Sequence, residues 1–581
     1  MNNSRTINTG QSADLVTFTI LVDGEELSAV YQVKSIAVAK EVNRIPKANI
    51  TIFDGDTATQ EFKLSNSDLF IPGKKIEIKA GYHNEEETIF KGIVIKHSLK
   101  IRSGASALFI ECRDEAVRMT IGRKSAYFYE KTDSDIIEDM IANYAGLSPK
   151  VDTISNTHPE LIQYQSSDWD YMLTRVQANG KLCFVNDGEI TVTDPDTSQE
   201  AVETISFGET LMDFDGEIDA REQYKKITAS SWNSADQEII DVEGNDPSCQ
   251  LNGNLDPSTL SEVIDLDDLQ LKHGGQLTDI DLQGWSDATF KYQQLAKTRG
   301  RIMFQGIPSV KPGVMLSLAG VGDRFNGDVY ITGVKHELSE GSWVCHAQFG
   351  LNPEWISETF DVSQKPAAGL TPAISGLQIG IVTQLEGDPD GEDRILVKMP
   401  VINKDEEGIW ARVCSLDAGE NRGSFFRPEI DDEVIIGFLN DDPNYPVILG
   451  MMNSSAKPAP LSATDDNHEK GFVTRSGIEM IFNDEKISYT LKTPGGRTLV
   501  VDDDAEEITI TDDSNTMLMN SDGITIESSG DINIKSTGDL NLEGTNVSIK
   551  ANSEFKAEGG SGAELSTSAV AVLKGSLVQI N

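Results

Sequence analysis

The last sixty residues constrain this chain more than any other part of it. From residue 524 onward apolar residues stand in pairs at positions n and n+2: Ile524/Ile526, Ile532/Ile534, Leu540/Leu542, Val547/Ile549, Phe555/Ala557, Ala563/Leu565, Ala571/Leu573 and Val578/Ile580. Successive pairs are offset by 8, 8, 7, 8, 8, 8 and 7 residues, with Gly, Ser, Asn, Asp and Thr between them. A five-residue strand plus a tight turn, repeated at a fixed period, is the pattern of a β-solenoid. One octad supplies only two inward side chains, too few for one chain to enclose a core. Three chains wound about a common axis can each provide one face of a triangular prism and leave no free strand edges. The expected structure is therefore a trimeric β-helix. At about 4.8 Å per strand it rises roughly 40 Å, and weaker pairs upstream (Leu499/Val501, Ile508/Ile510, Met517/Met519) would lengthen it.

The remainder reads as mainly β with a few helices. From Leu15 to about Arg123, short alternating strands punctuated by Gly, Pro and Asp suggest an antiparallel barrel or sandwich. A helix should start at Thr132 with Asp135 in capping-box position, and a second at Ser167 with Asp170 three residues on. A third, roughly Ser286 to Thr298, follows a stretch at 235–284 whose Asp and Asn content gives no clear period. Residues 363–376 have linker composition, and 377–455 carry five or six short strands, including one near GSFFR, as in a small OB-type barrel. The expected division is 1–362, 363–376, 377–455, a connector at 456–476, and an intertwined needle at 477–581.

Charge narrows the partners. With 94 acidic against 49 basic residues the chain carries a formal charge of −45, the wrong sign for a resting complex with nucleic acid or an anionic membrane. Five cysteines without a CxxC motif indicate neither a zinc ribbon nor a disulfide framework. The first residues lack a basic-then-apolar leader, so folding in the cytoplasm without a signal peptide is expected.

No catalytic, cofactor or metal site is expected. His336-Glu337 lacks the second His of a zinc-protease motif, and Asp388–Asp393 opens like a calcium loop but lacks the closing Glu. Trp410, Phe425 and Phe426 could stack a ligand, yet only Arg412, Arg422 and Arg427 accompany them, and strand core or packing between subunits is the better reading. Asp502, Asp503 and Asp504 read as a charged face or turn.

The run 408–460, with its WARV strand, AG and RG turns, PEIDDEV strand entry and DDPNYPVILG exit, resembles the OB region of VgrG-type spike proteins. Asn440 or Asp441 replaces the Gly that opens the last motif in that family, which bears on the turn type alone. Upstream, EVNRIPKANITIFDGD, CRDEAVRMTIGRKS and SSDWDYMLTRVQANG look like the hub of the same family. The resemblance implies phage-tail-hub-like β-barrels, an OB-fold barrel and a C-terminal trimeric β-helix. It implies the central spike of a contractile injection machine: a homotrimer whose hub meets a tube or tube-initiator hexamer and baseplate proteins. Effector cargo is a further partner, and the target membrane is met only during puncture. The AGENRG and FFRPE spellings and the modest length look closer to extracellular injection particles than to type VI secretion.

The needle core is expected at Ile524, Ile526, Ile532, Ile534, Leu540, Leu542, Val547, Ile549, Phe555, Leu565 and Leu573. Leu577, Val578, Ile580 and Asn581 are expected to form the face that receives a tip partner, since the last His is His468; that this partner is a separate PAAR-type protein is what the resemblance implies. A glycan-degrading enzyme on a trimeric β-helix is the alternative; it would need paired carboxylates in a wide groove, and these octads carry no insertions.

Overall fold

The computed structural model describes residues 15–580. It divides into two compact units, one running to Gly376 and including Phe438–Tyr445, the other comprising Leu377–Gly437 and Pro446 onward.

In the first unit, strand follows strand in the alternating pattern of the sequence, and most of them join one 13-stranded sheet. That sheet curls round two cores. Strands Lys75–Tyr82 and Ser342–Phe349 lie six places apart in the strand order, which in a flat sheet is about 29 Å at 4.8 Å per strand. Yet the Tyr82 ring stacks on Trp343 at 5.5 Å, and its hydroxyl donates to the Gly306 carbonyl at 3.1 Å. Around this contact Ile36, Ile50, Ile78, Phe90 and Leu108 form the first core. The second half closes on itself: Leu211–Ile218, Thr298–Gln305, Ser342–Phe349, Gly327–Ser339, Met315–Ala319 and Glu203–Ser206 are paired in that order, and a bridge from Phe207 to Leu211 returns the circuit to its start. Ile302, Phe304, Leu316, Ile331 and Phe349 fill it.

Two helices pack beside a three-stranded sheet in a core of their own. Helix α1 (Asp133–Ala142) is capped by Thr132 with a full capping box through Asp135, and α2 (Asp168–Ala178) by Ser167. Both bury an apolar stripe: Ile136, Ile137, Met140 and Ile141 in α1, and Trp169, Met172, Leu173 and Val176 in α2. Asp133 ties them together, accepting from Arg175 at 2.6 and 2.8 Å and from Asn179 at 2.9 Å, with His158 Nε2 3.1 Å away.

The stretch without a readable period holds strand Glu238–Glu243, helix α3 (Pro257–Ile264) and strand Leu269–His273. Helix α4 runs Asp279–Leu295, starting earlier than Ser286 because Thr278 caps it by accepting from Asp281 N–H. Among the described residues, no helix is long and apolar enough to cross a membrane.

The second unit opens with a closed five-stranded barrel, in the order Gln378–Gln384, Ile395–Lys398, Ile409–Val413, Pro446–Met451, Glu433–Phe438. Val382, Ile395, Val397, Ala411, Val434, Ile436 and Ile448 fill it. The strand expected near GSFFR is reduced to Arg422–Gly423, which pairs with Ala418–Gly419; the aromatic residues beyond it lie in a loop.

Candidate functional site

Beyond the barrel the second unit changes character. Seven short strands, Glu469–Val473, Glu479–Asn483, Ser488–Lys492, Thr498–Asp502, Glu507–Thr511, Asn515–Asn520 and Gly523–Ser528, form an antiparallel meander in which each pairs with the next. Residues directly opposite in an antiparallel pair point to the same face, so the register fixes what each face carries. On one face two columns run the length of the sheet. The first is Phe472, Met480, Leu491, Leu499, Ile510, Met517 and Ile526. The second is Lys470, Phe482, Tyr489, Val501, Ile508, Met519 and Ile524. Lys470 is their one charged member, and its ammonium is taken by Asp484. The opposite face is mixed: Gly471, Ile481, Thr490, Val500, Thr509, Leu518 and Thr525 down the middle, flanked by charged residues such as Glu479, Lys492, Asp502 and Glu507.

None of the columned side chains is buried in the single chain. Ile524 and Ile526, expected at the start of an intertwined repeat, lie on the last strand of this sheet and are hydrogen-bonded within the chain. The upstream pairs Leu499/Val501, Ile508/Ile510 and Met517/Met519 belong to the same sheet. Between residue 477, where the intertwined needle is expected to begin, and Ser528, each strand in the single chain has its neighbours within that chain. Sequence reasoning missed Met480/Phe482 and Tyr489/Leu491, which are n, n+2 pairs at a wider spacing than the octad.

From residue 529 to 580 the backbone forms no strand ladder within the chain. Ile532, Ile534, Leu540, Leu542, Val547, Ile549, Phe555, Leu565, Leu573, Leu577, Val578 and Ile580 are each at least 50% exposed. Asn581 lies outside the described residues. An extended run with neither backbone partners nor a core meets two costs at once, unpaired amides and exposed apolar surface.

The groups that could suggest chemistry are held in structural roles. His336 is buried, its Nδ1 3.0 Å from the Cys345 sulfur. Burial, with the Lys40 ammonium nearby, pushes the imidazole down to about 3, and burial pushes the Cys345 thiol up to about 12. An imidazole so weakly basic cannot take the proton of a thiol so hard to ionise, so the pair does not make a nucleophile and base. Asp388 accepts from Arg394 through both its guanidinium and its backbone N–H, and from the backbone N–H of Asp390 and Glu392. The Arg394 hydrogen bonds hold its carboxyl well below the usual range, and the Asp388–Asp393 loop is closed by its own cation. Asp503 and Asp504 form a turn after strand Thr498–Asp502. Neither Phe425 nor Phe426 is strand core: Phe426 stacks on Phe472 at 5.0 Å, and Phe425 is 84% exposed. Arg422 pairs with Asp417, and Arg427 with Asp393.

Comparison with known proteins decides the family. The Alg8 N-terminal domain family matches residues 12–340, more than half of the chain. The chain belongs to that family. The type VI secretion system/phage-baseplate injector OB domain matches residues 378–452, the closed barrel. The spike protein VgrG1a of Pseudomonas aeruginosa is 26% identical over 190 residues, 30% of this chain and 29% of its own. VgrG3 of Vibrio cholerae is 31% identical over 101 residues, 16% of this chain and 10% of its own. The matched stretches thus span less than a third of those relatives. An Escherichia coli type VI secretion component of solved structure is 13% identical, with a TM-score of 0.39, covering 74% of this chain and 99% of that one. The chain thus carries an injector OB domain together with stretches similar to VgrG spike proteins.

Proposed function

We propose that this chain is the central spike of a contractile injection machine and acts as a homotrimer. The observation that carries the reading is the run 529–580, whose backbone has no ladder within one chain and whose paired apolar side chains stand exposed. Two further copies wound about the same axis would supply both deficits, enclosing the octad pairs and closing every strand edge. The columned face of 469–528 asks for the same cover.

The work is mechanical rather than enzymatic: sheath contraction drives a closed, stiff needle through an envelope. The hub would seat on a six-fold tube or tube initiator and its baseplate. A PAAR-type protein would cover the apolar face of Leu577, Val578 and Ile580, since exposed apolar patches on soluble proteins mark partner sites. The chain would fold in the cytoplasm and work in a released, extracellular particle; the AGENRG and FFRPE spellings favour this over an anchored type VI apparatus. Effector proteins are the cargo class.

Static light scattering at micromolar concentration tests the assembly. The expected mass is about three times 63.4 kDa; a monodisperse species at the chain mass would contradict it.

A further inference from the structure

The meander at 469–528 and the octad run after it present the same kind of face but differ in one respect. The meander's backbone is already complete, each strand paired with the next inside the chain. It exists as a sheet before any partner arrives, whereas 529–580 has no ladder of its own. We infer that the meander is the register-setting clamp of the spike: three copies pack by its columned faces, and the octad runs wind on from that fixed start. This rests on the trimer reading above and adds to it a division of the needle into a seed and a follower.

A second copy of this chain is the occupant of the face, on three grounds. Ile524 and Ile526 end the two columns and also open the octad series that continues at Ile532, so whatever covers the octads covers the meander as well. At a net charge of −45, copies repel one another wherever charge is presented. The columned face carries only Lys470, already taken by Asp484, while Glu479, Asp502 and Glu507 lie on the other face.

The octads need a clamp because they are self-similar. Sliding one chain by a whole octad against its neighbours still sets apolar pair against apolar pair, so the repeat specifies its own register weakly. The meander is not self-similar. Phe482 and Tyr489, with ring centroids 5.3 Å apart, lie near one end, and Met517 and Met519 near the other. Its strands recur at intervals of eight to ten residues. One stagger fits this face, and fixing it there fixes every octad downstream.

Adjacent residues on opposite faces test the inference in the full-length chain. Leu499→Asp strikes the columned face, and Val500→Asp the mixed one. Leu573→Asp lies deep in the octads. Leu499 lies outside the buried cores of the single chain; unchanged hydrogen exchange in the hub and OB barrel checks that the monomer's fold survives the change, and Leu491→Asp repeats the experiment at a second position. L499D and L491D are expected to lose the trimer and to leave 530–580 exchanging freely. V500D should stay trimeric, and L573D should stay trimeric with fraying confined to its last octads. A trimeric L499D with protected octads, or an L573D that dissociates as fully as L499D, would overturn the clamp while leaving the trimer intact. A monomeric unsubstituted chain would remove the trimer reading itself.

Discussion

At His336 burial outweighs every other influence on one side chain. The ring sits on strand Gly327–Ser339 against Trp343 and Cys345, and its folded value of about 3 lies far below the ordinary 6.5. Between those two values the unfolded chain binds a proton that the folded chain refuses, so stability falls as pH drops below about 6.5. From pH 7 to pH 5 the expected contribution is a loss of about 2 kcal/mol. Denaturant midpoints at the two pH values check it: His336→Gln should have a shallower pH dependence than the natural chain, and equal slopes would show that the ring is accessible to protons when folded. Asp133 runs the other way. Burial, the largest single influence, would raise its carboxyl, but the hydrogen bonds and charge of Arg175 together with the bonds from Asn179 and His158 outweigh it and hold the group below its ordinary value, so its contribution is present near neutrality and disappears only in strong acid.

At the scale of elements the helices show what a sequence can declare about itself. Thr132 with Asp135 and Ser167 with Asp170 mark α1 and α2 because a cap is a local device, complete within four residues. Helix α4 starts earlier than expected because its cap, Thr278 with Asp281, sits among Gly274, Gly275, Asp279 and Gly284, which read as a loop. The octad period was legible, but its topology was not. Strands Glu507–Thr511, Asn515–Asn520 and Gly523–Ser528 also start eight residues apart, and they reverse as hairpins within the chain; spacing alone does not distinguish a hairpin from a winding strand. The apolar columns were partly hidden because their upstream members recur at a wider interval. Within the octads, alternation assigns Ile532 inward and Asn533 outward. Ile532→Asp would place three carboxylates about one axis, each costing several kcal/mol when desolvated and unpaired. Thermal unfolding of the assembled needle should show a large loss for I532D and almost none for Asn533→Asp; equal tolerance would contradict the inward assignment.

At the scale of the molecule, the hub and the OB barrel bury their own cores, and the C-terminal part of the chain does not. The two curled halves of the hub sheet and the closed five-stranded barrel are complete within one chain. The proposed trimer would complete that C-terminal part. If the tip reading holds, deleting Leu577–Asn581 leaves a trimer, because most octads remain, but abolishes capture of a PAAR-type protein in a pull-down. Undiminished capture would place the partner elsewhere. The central claim, that 529–580 takes its backbone partners from other chains, is tested most directly by amide hydrogen exchange along the full-length protein. No ladder within the chain protects those amides, so slow exchange there can come only from assembly. The account predicts slow exchange across the octads, comparable to that of the OB barrel; exchange at the rate of an unstructured chain would contradict it.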